Sequence, residues 1–194
     1  MQDTRTRILS AAIREICKHG WKVPIEAIAK AAKVDPITVY RHFKDREVLL
    51  REVMQEASRR NPLVSYLKAE LRSKPVPPLH QLMCGMTEVI TGPSSDLYRL
   101  IYHASLNRPD VLRYWDTDPD RPHVLTLLAE YVKRLRSQKM LSSALGPDEV
   151  AAKLLHGMIM GSFDRNVLFE GCENADADPV NAMRHLCLAI ENIP

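Results

Sequence analysis

The sequence predicts an all-helical fold, in which a small amino-terminal helical module is followed by a larger helical body, and three observations support this. Apolar residues recur at helical spacing in nearly every segment of the 194-residue chain. No segment alternates apolar and polar residues over the length of a strand. Breaker clusters, "SKPVPPLH", "TGPSS", "NRPD", "DTDPDRP", "LGPDE" and "ENADADP", fall between the periodic stretches. Charge divides the chain in the same way. Residues 1–60 carry 13 Lys and Arg against 8 Asp and Glu, net +5, whereas the remainder has 14 against 16, net −2. A basic first third on a slightly acidic body favours a polyanionic partner.

The first helix is expected from Thr4 to His19, where Ile8, Leu9, Ala12, Ile13 and Ile16 repeat, with Asp3 as its cap and Gly20 as its stop. A second, short helix runs from Pro24 to Ala32 with Ile25, Ile28, Ala29 and Ala32 on one face. The third begins at Asp35-Pro36, because Asp accepts the orphan N–H bonds of a helix start and Pro tolerates the first turn. It ends near Phe43, where Asp45 caps a fourth helix carrying Leu49, Leu50, Val53, Met54 and Ala57. Pro62 interrupts that helix or its end. Further helices are expected over 79–90, 96–106, 111–115, 121–139, 148–169 and 179–190.

Several function classes lose support at this level. No apolar run reaches the roughly 18 residues needed to span a bilayer, and "MQDTRTRILS" is charged where a signal peptide is apolar. A soluble, cytoplasmic protein is expected, with no membrane partner. The four cysteines, Cys17, Cys84, Cys172 and Cys187, include no CxxC pair, so packed thiols are expected rather than a disulfide framework, with redox sensing by one of them as the alternative. His80 and Cys84 are four apart but lack a third ligand nearby, so no metal and no cofactor are expected. There is no glycine-rich phosphate loop and no nucleophile elbow. "SFDRN", from Ser162 to Asn166, reads as an interface or solvated patch rather than a catalytic group.

The third helix carries the functional signal. It is too short and polar for a core element: Val39 and Phe43 can turn inward, while Thr38, Tyr40, Arg41 and His42 are distributed around it. Joined to the second helix by "AKVD", it has the layout of a helix-turn-helix, whose second helix enters the major groove of DNA. Hydroxyl, phenol and imidazole groups suit phosphate oxygens, and Arg41 can reach a phosphate or a guanine edge.

The run from Thr4 to Val53, with "RILSAAIREICKHGW", "IAKAAKVDPITVYRHF" and "DREVLL" as its signature portions, resembles the DNA-binding domain of the TetR family of transcriptional regulators. The resemblance covers about a quarter of the chain. It implies a recognition helix from Pro36 to Phe43, with Pro36, Ile37, Thr38 and Arg41 nearest the bases and Thr38, Tyr40 and His42 toward the backbone. Arg46 stands where the family usually has a phosphate-contacting Lys. Three positions depart from the pattern: Lys33 replaces a common turn glycine, Pro24-Ile25 a Thr-rich start, and Asp35 a frequent Ser. The implied organisation is a DNA-binding domain over 1–50, its fourth helix continuing to about residue 60 as connector, and a helical effector-binding and dimerisation domain over 61–194.

For the effector pocket the resemblance points to the helices between Leu79 and Lys139, where Met83, Met86, Tyr102, His103, Trp115 and Tyr131 combine flexible thioethers with amphipathic rings. For the dimer interface it points to the last two helices, with Leu154, Gly157, Met158 and Gly161 on one and Met183, Leu186 and Ile190 on the other. Each of these residues can equally pack within its own subunit. The expectation is a homodimeric regulator, most readily a repressor, that binds a near-palindromic operator on double-stranded DNA and is released by a small-molecule effector. The alternatives are a regulator that ignores or requires a ligand, a non-specific DNA binder, and an unrecognised enzyme.

Overall fold

A computed structural model of the chain describes residues 3–92, 96–114, 123–168 and 178–191, and every element among them is helical. The helices are α1 Thr4–His19, α2 Ile25–Ala32, α3 Pro36–His42, α4 Arg46–Arg59, α5 Pro62–Glu70 and α6 Leu79–Thr91. They continue with α7 Asp96–Asn107, α8 Pro109–Leu112, α9 Val124–Ser137, α10 Asp148–Leu168 and α11 Pro179–Glu191, with a 3-10 turn at Ser143–Leu145.

The first helices form for the local reasons read from the sequence, with three adjustments. Helix α1 buries Ile8, Leu9, Ala12 and Ile16 and stops at Gly20, whose N–H still bonds the Ile16 carbonyl at 2.8 Å while its positive φ of 77° turns the chain out of the helix. Asp3 makes no capping bond with its side chain. Helix α2 starts at Ile25, with Pro24 extended just outside it. Pro62 does not end a helix; it opens α5, where a missing N–H costs nothing, and Leu63, Val64 and Leu67 bury that helix's apolar side.

The chain forms two compact units, the first comprising Met1–Asn61 and Ser95–Arg121, the second Pro62–Ser94 and Pro122–Pro194. The expected division at residue 61 therefore misses one feature. Helices α7 and α8 pack with the amino-terminal helices, and Leu97, Leu100, Ala104 and Val111 join one core with Ile8, Leu9, Phe43, Leu49 and Val53. The cause is that α7 lays its apolar side on α1, while α8 rests on α4. Polar contacts follow the same joint: the Tyr98 hydroxyl donates to Asn61 Oδ1 at 2.6 Å, and the Arg51 guanidinium lies 5.3 Å from the centre of the Tyr114 ring.

In the second unit α11 lies along α6, α10 packs on α9 and α6, and α5 packs on α6 and α9. Its interior includes Leu67, Leu79, Leu82, Met86, Leu128, Val132, Leu155 and Ile159. The His80 imidazole Nδ1 lies 2.9 Å from Glu191 Oε2, which ties the start of α6 to the end of α11. Arg134 donates to the Leu71 carbonyl at 2.6 Å.

Candidate nucleic-acid interface

Two carboxylates cap the starts of α3 and α4. Asp35 Oδ1 accepts from the Ile37 N–H at 2.8 Å, and Asp45 Oδ1 accepts from the Val48 N–H at 2.8 Å at the start of α4. Between α2 and α3 the chain turns at Lys33, which is left-handed with φ 55° and ψ 49°, and the Val34 N–H returns to the Ala29 carbonyl at 3.0 Å. The turn thus keeps the glycine-type conformation without the glycine.

Helix α3 turns few side chains inward. Val39 is buried, and Phe43, just beyond the last residue, closes the corner. The Arg5 guanidinium lies 5.2 Å from the centre of the Phe43 ring and also pairs with Glu52, so α1, the end of α3 and α4 share one charged clasp. What remains faces water. Ile37 is 69% exposed and Tyr40 49%, and Arg41 and His42 are exposed beside them, with Pro36 and Thr38 half-buried. An exposed Ile on a polar helix is costly in water and useful against a thymine methyl.

Arg46 is placed differently from a phosphate-contacting Lys. Its guanidinium donates to the Val23 carbonyl at 2.6 Å and to the Trp21 carbonyl, so it holds the loop between α1 and α2. The planar fork spans two acceptors at once, which an ammonium does less well. Nothing in the local sequence pattern around Asp45 announced this long-range bond.

The predicted effector residues separate. Met83, Met86 and Tyr131 are fully buried in the second unit, and the Tyr131 hydroxyl donates to the Pro77 carbonyl at 2.6 Å. Helix α7, which carries Tyr102 and His103, belongs to the first unit; the side chains of those two residues, and Trp115 altogether, lie outside the described residues. A cavity of about 620 Å³ in the second unit is lined by Tyr66, His80, Gln81, Cys84, Gly85, Glu88, Val89 and Arg184, none of them predicted as effector contacts. Tyr66 crosses α6 at Gly85, where a Cβ would meet its hydroxyl, and burial pushes its phenol up to about 12. Polar Gln81 and Glu88 flanking the small Gly85 on one side of α6 were the available signal, masked by the apolar neighbours on the same helix. His80 and Cys84 both line this cavity. His80 is paired with Glu191, and among the described residues no group of three or more His, Cys, Asp or Glu could hold a metal.

Of the predicted interface residues, Leu154 is 52% and Leu186 47% exposed, and Gly157 and Gly161 are exposed too, with nothing within 4 Å of an added Cβ. Met158 and Ile190 are half-buried. Met183 is buried with Cys187, which takes it off the exposed face of its own subunit.

A capped, left-handed turn presenting a short polar helix on a basic helical unit defines a helix-turn-helix DNA-binding protein. Residues 8–53 match the model of the bacterial regulatory proteins of the tetR family. Over those residues the chain carries the DNA-binding module of the TetR family of transcriptional regulators. It is 24% identical over 84% of its length to the uncharacterized HTH-type transcriptional regulator YvkB of Bacillus subtilis, covering 82% of that relative. It is 30% identical over 52% of its length to the probable acrEF/envCD operon repressor of Escherichia coli K12, spanning about half of it, 47%. Its fold is that of SmeT, the repressor of the Stenotrophomonas maltophilia multidrug efflux pump SmeDEF, at a TM-score of 0.67 and 20% identity, covering 98% of this chain and 89% of that one. No described helix is long and apolar enough to cross a membrane.

Proposed function

We propose that the chain is a repressor that binds a near-palindromic operator as a homodimer and releases it when a small molecule binds the second unit. The observation that carries this reading is α3 itself, held by Asp35, Val39 and Phe43 while Ile37, Tyr40 and Arg41 are left free for a groove. Repression is favoured by the relative named as an operon repressor. Dimerisation is favoured by the exposed Leu154 and Leu186 together with the small-residue strip at Gly157 and Gly161, to which a second copy of α10–α11 would give cover. Two recognition helices on a twofold axis then meet half-sites about 34 Å apart.

Release follows from linkage. A ligand that binds better when the two recognition helices are out of register with successive major grooves weakens operator binding by the same factor. The ligand's place is the second unit, where the open cavity of about 620 Å³ has the size of a small-molecule site and the buried Met83 and Met86 lie on the same helix as its lining residues Gln81, Cys84 and Glu88. Selecting genome fragments with the purified protein tests the reading. Enrichment of a palindromic site that Tyr40→Ala and Arg41→Ala abolish is the expected result; recovery of random fragments contradicts it.

A further inference from the structure

The first unit contains a second cavity, of about 520 Å³, lined by Trp21, Lys22, Arg46, Asn107 and Arg108. Its walls come from the loop after α1, the start of α4, and the end of α7 with the residue that follows, all within one compact unit. Every lining side chain offers N–H donors, three of the five are cations, and no carboxylate is among them. Trp21 is 5% exposed, and its indole Nε1–H has no acceptor among the described residues. A buried donor without a partner is rare and points to a group that arrives from outside.

The cations keep unused donors. Lys22 is exposed and forms no ion pair with a described residue. Arg46 commits its two Nη groups to the Val23 and Trp21 carbonyls, leaving Nε. Arg108 commits Nε and Nη2 to Asp110 at 2.9 and 2.7 Å and Nη2 also to Glu47 at 2.6 Å, leaving Nη1. The Arg108 guanidinium bonded to Asp110 holds that carboxyl below its usual range. Glu47 is the more exposed of the two carboxylates, so an incoming anion can take its place on Arg108 with little loss of burial.

We propose that this cavity binds a small molecule bearing an oxyanion, phosphate or carboxylate, separately from the effector site of the second unit. The oxyanion bonds to Lys22 and Arg108, and the Trp21 N–H and the Asn107 amide receive the polar remainder. The volume exceeds that of a lone inorganic ion and suits an organic phosphate or acid. Occupancy draws Arg108 from Glu47 and so loosens the tie between the start of α4 and α8. Any effect on operator affinity rests on the regulator reading above; binding itself does not.

The same chemistry could instead serve a backbone phosphate of DNA, and the experiment separates the two sources. In a Trp115→Phe background Trp21 is the only tryptophan, and its emission is followed while inorganic phosphate replaces chloride at constant ionic strength, without DNA. The expected result is a saturable change whose midpoint rises about tenfold in Lys22→Gln and in Arg108→Gln. Identical emission in phosphate and chloride overturns the proposal, as does a response that both variants retain unaltered. If phosphate is silent and each variant lowers the salt slope of duplex binding by about 1, the cations belong to the DNA interface and the small-anion site is refuted. Because Lys22 is exposed and pairs with no described residue, its variant keeps the test readable should Arg108→Gln disturb folding.

Discussion

Lys33 shows how a single residue's backbone state becomes a measurable quantity. With φ at 55° it occupies a region where a side chain costs about 1–2 kcal/mol, and glycine does not incur that strain. Lys33→Gly should therefore raise the unfolding free energy by about 1 kcal/mol in urea titration, after the greater freedom of unfolded glycine is subtracted. Arg46→Lys keeps the charge but loses the fork that spans the Val23 and Trp21 carbonyls. A loss of about 1–2 kcal/mol in the same titration is expected, and an unchanged midpoint would mean that the clasp adds nothing. His156 supplies a pH signature. Burial lowers its pKa below 6.5, so the folded state holds the proton less tightly than the unfolded state. Its contribution is complete above that value and is lost as pH falls through it, and His156→Gln should flatten the drop in Tm between about pH 7 and 5. At position 33 the sequence showed a replaced turn glycine, but only the fold shows that Lys33 keeps the left-handed conformation despite its Cβ. The Arg46 clasp was not legible, since its acceptors lie more than twenty positions upstream and only folding brings them together.

Helix α3 is held by its ends more than by its length. Seven residues are too few to be stable alone, so the cap at Asp35 and the inward Val39 and Phe43 fix it. Asp35→Ala should cost about 1 kcal/mol of stability and weaken DNA binding by loosening the helix, while leaving Ile37 and Arg41 in place chemically. Helices of this kind were readable because caps and apolar spacing are local signals: α1, α3 and α4 begin and end within a residue of their sequence expectations. Helix α5 was missed because Pro62 was read as a break, although Pro at a first helical position is a start as readily as a stop. The allegiance of α7 and α8 was equally hidden. Their apolar faces show that they are buried, but only the fold shows that Leu97, Leu100 and Val111 share a core with α1 and α4.

At the scale of the whole molecule, the proposed dimer rests on apolar residues that the chain leaves exposed. Leu154, one turn from Gly157 on α10, and Leu186 on α11 are half-exposed leucines. Leu154→Glu combined with Leu186→Glu should convert a dimer to a monomer in sedimentation equilibrium while leaving the far-ultraviolet helix signal intact. A dimer that survives both changes would place the interface elsewhere. The sequence pointed to these helices, but it could not sort outward from inward residues, and Met183 proved to be buried. The central claim is that the exposed side chains of α3 read a specific sequence, and a ratio tests it most directly. Binding of the selected operator is compared with an unrelated duplex of equal length at one salt concentration, for the natural chain and for Arg41→Ala. A preference of roughly 10³-fold or more that collapses in the variant is the predicted result. Equal affinity for both duplexes, or a preference that Arg41→Ala leaves untouched, would contradict it.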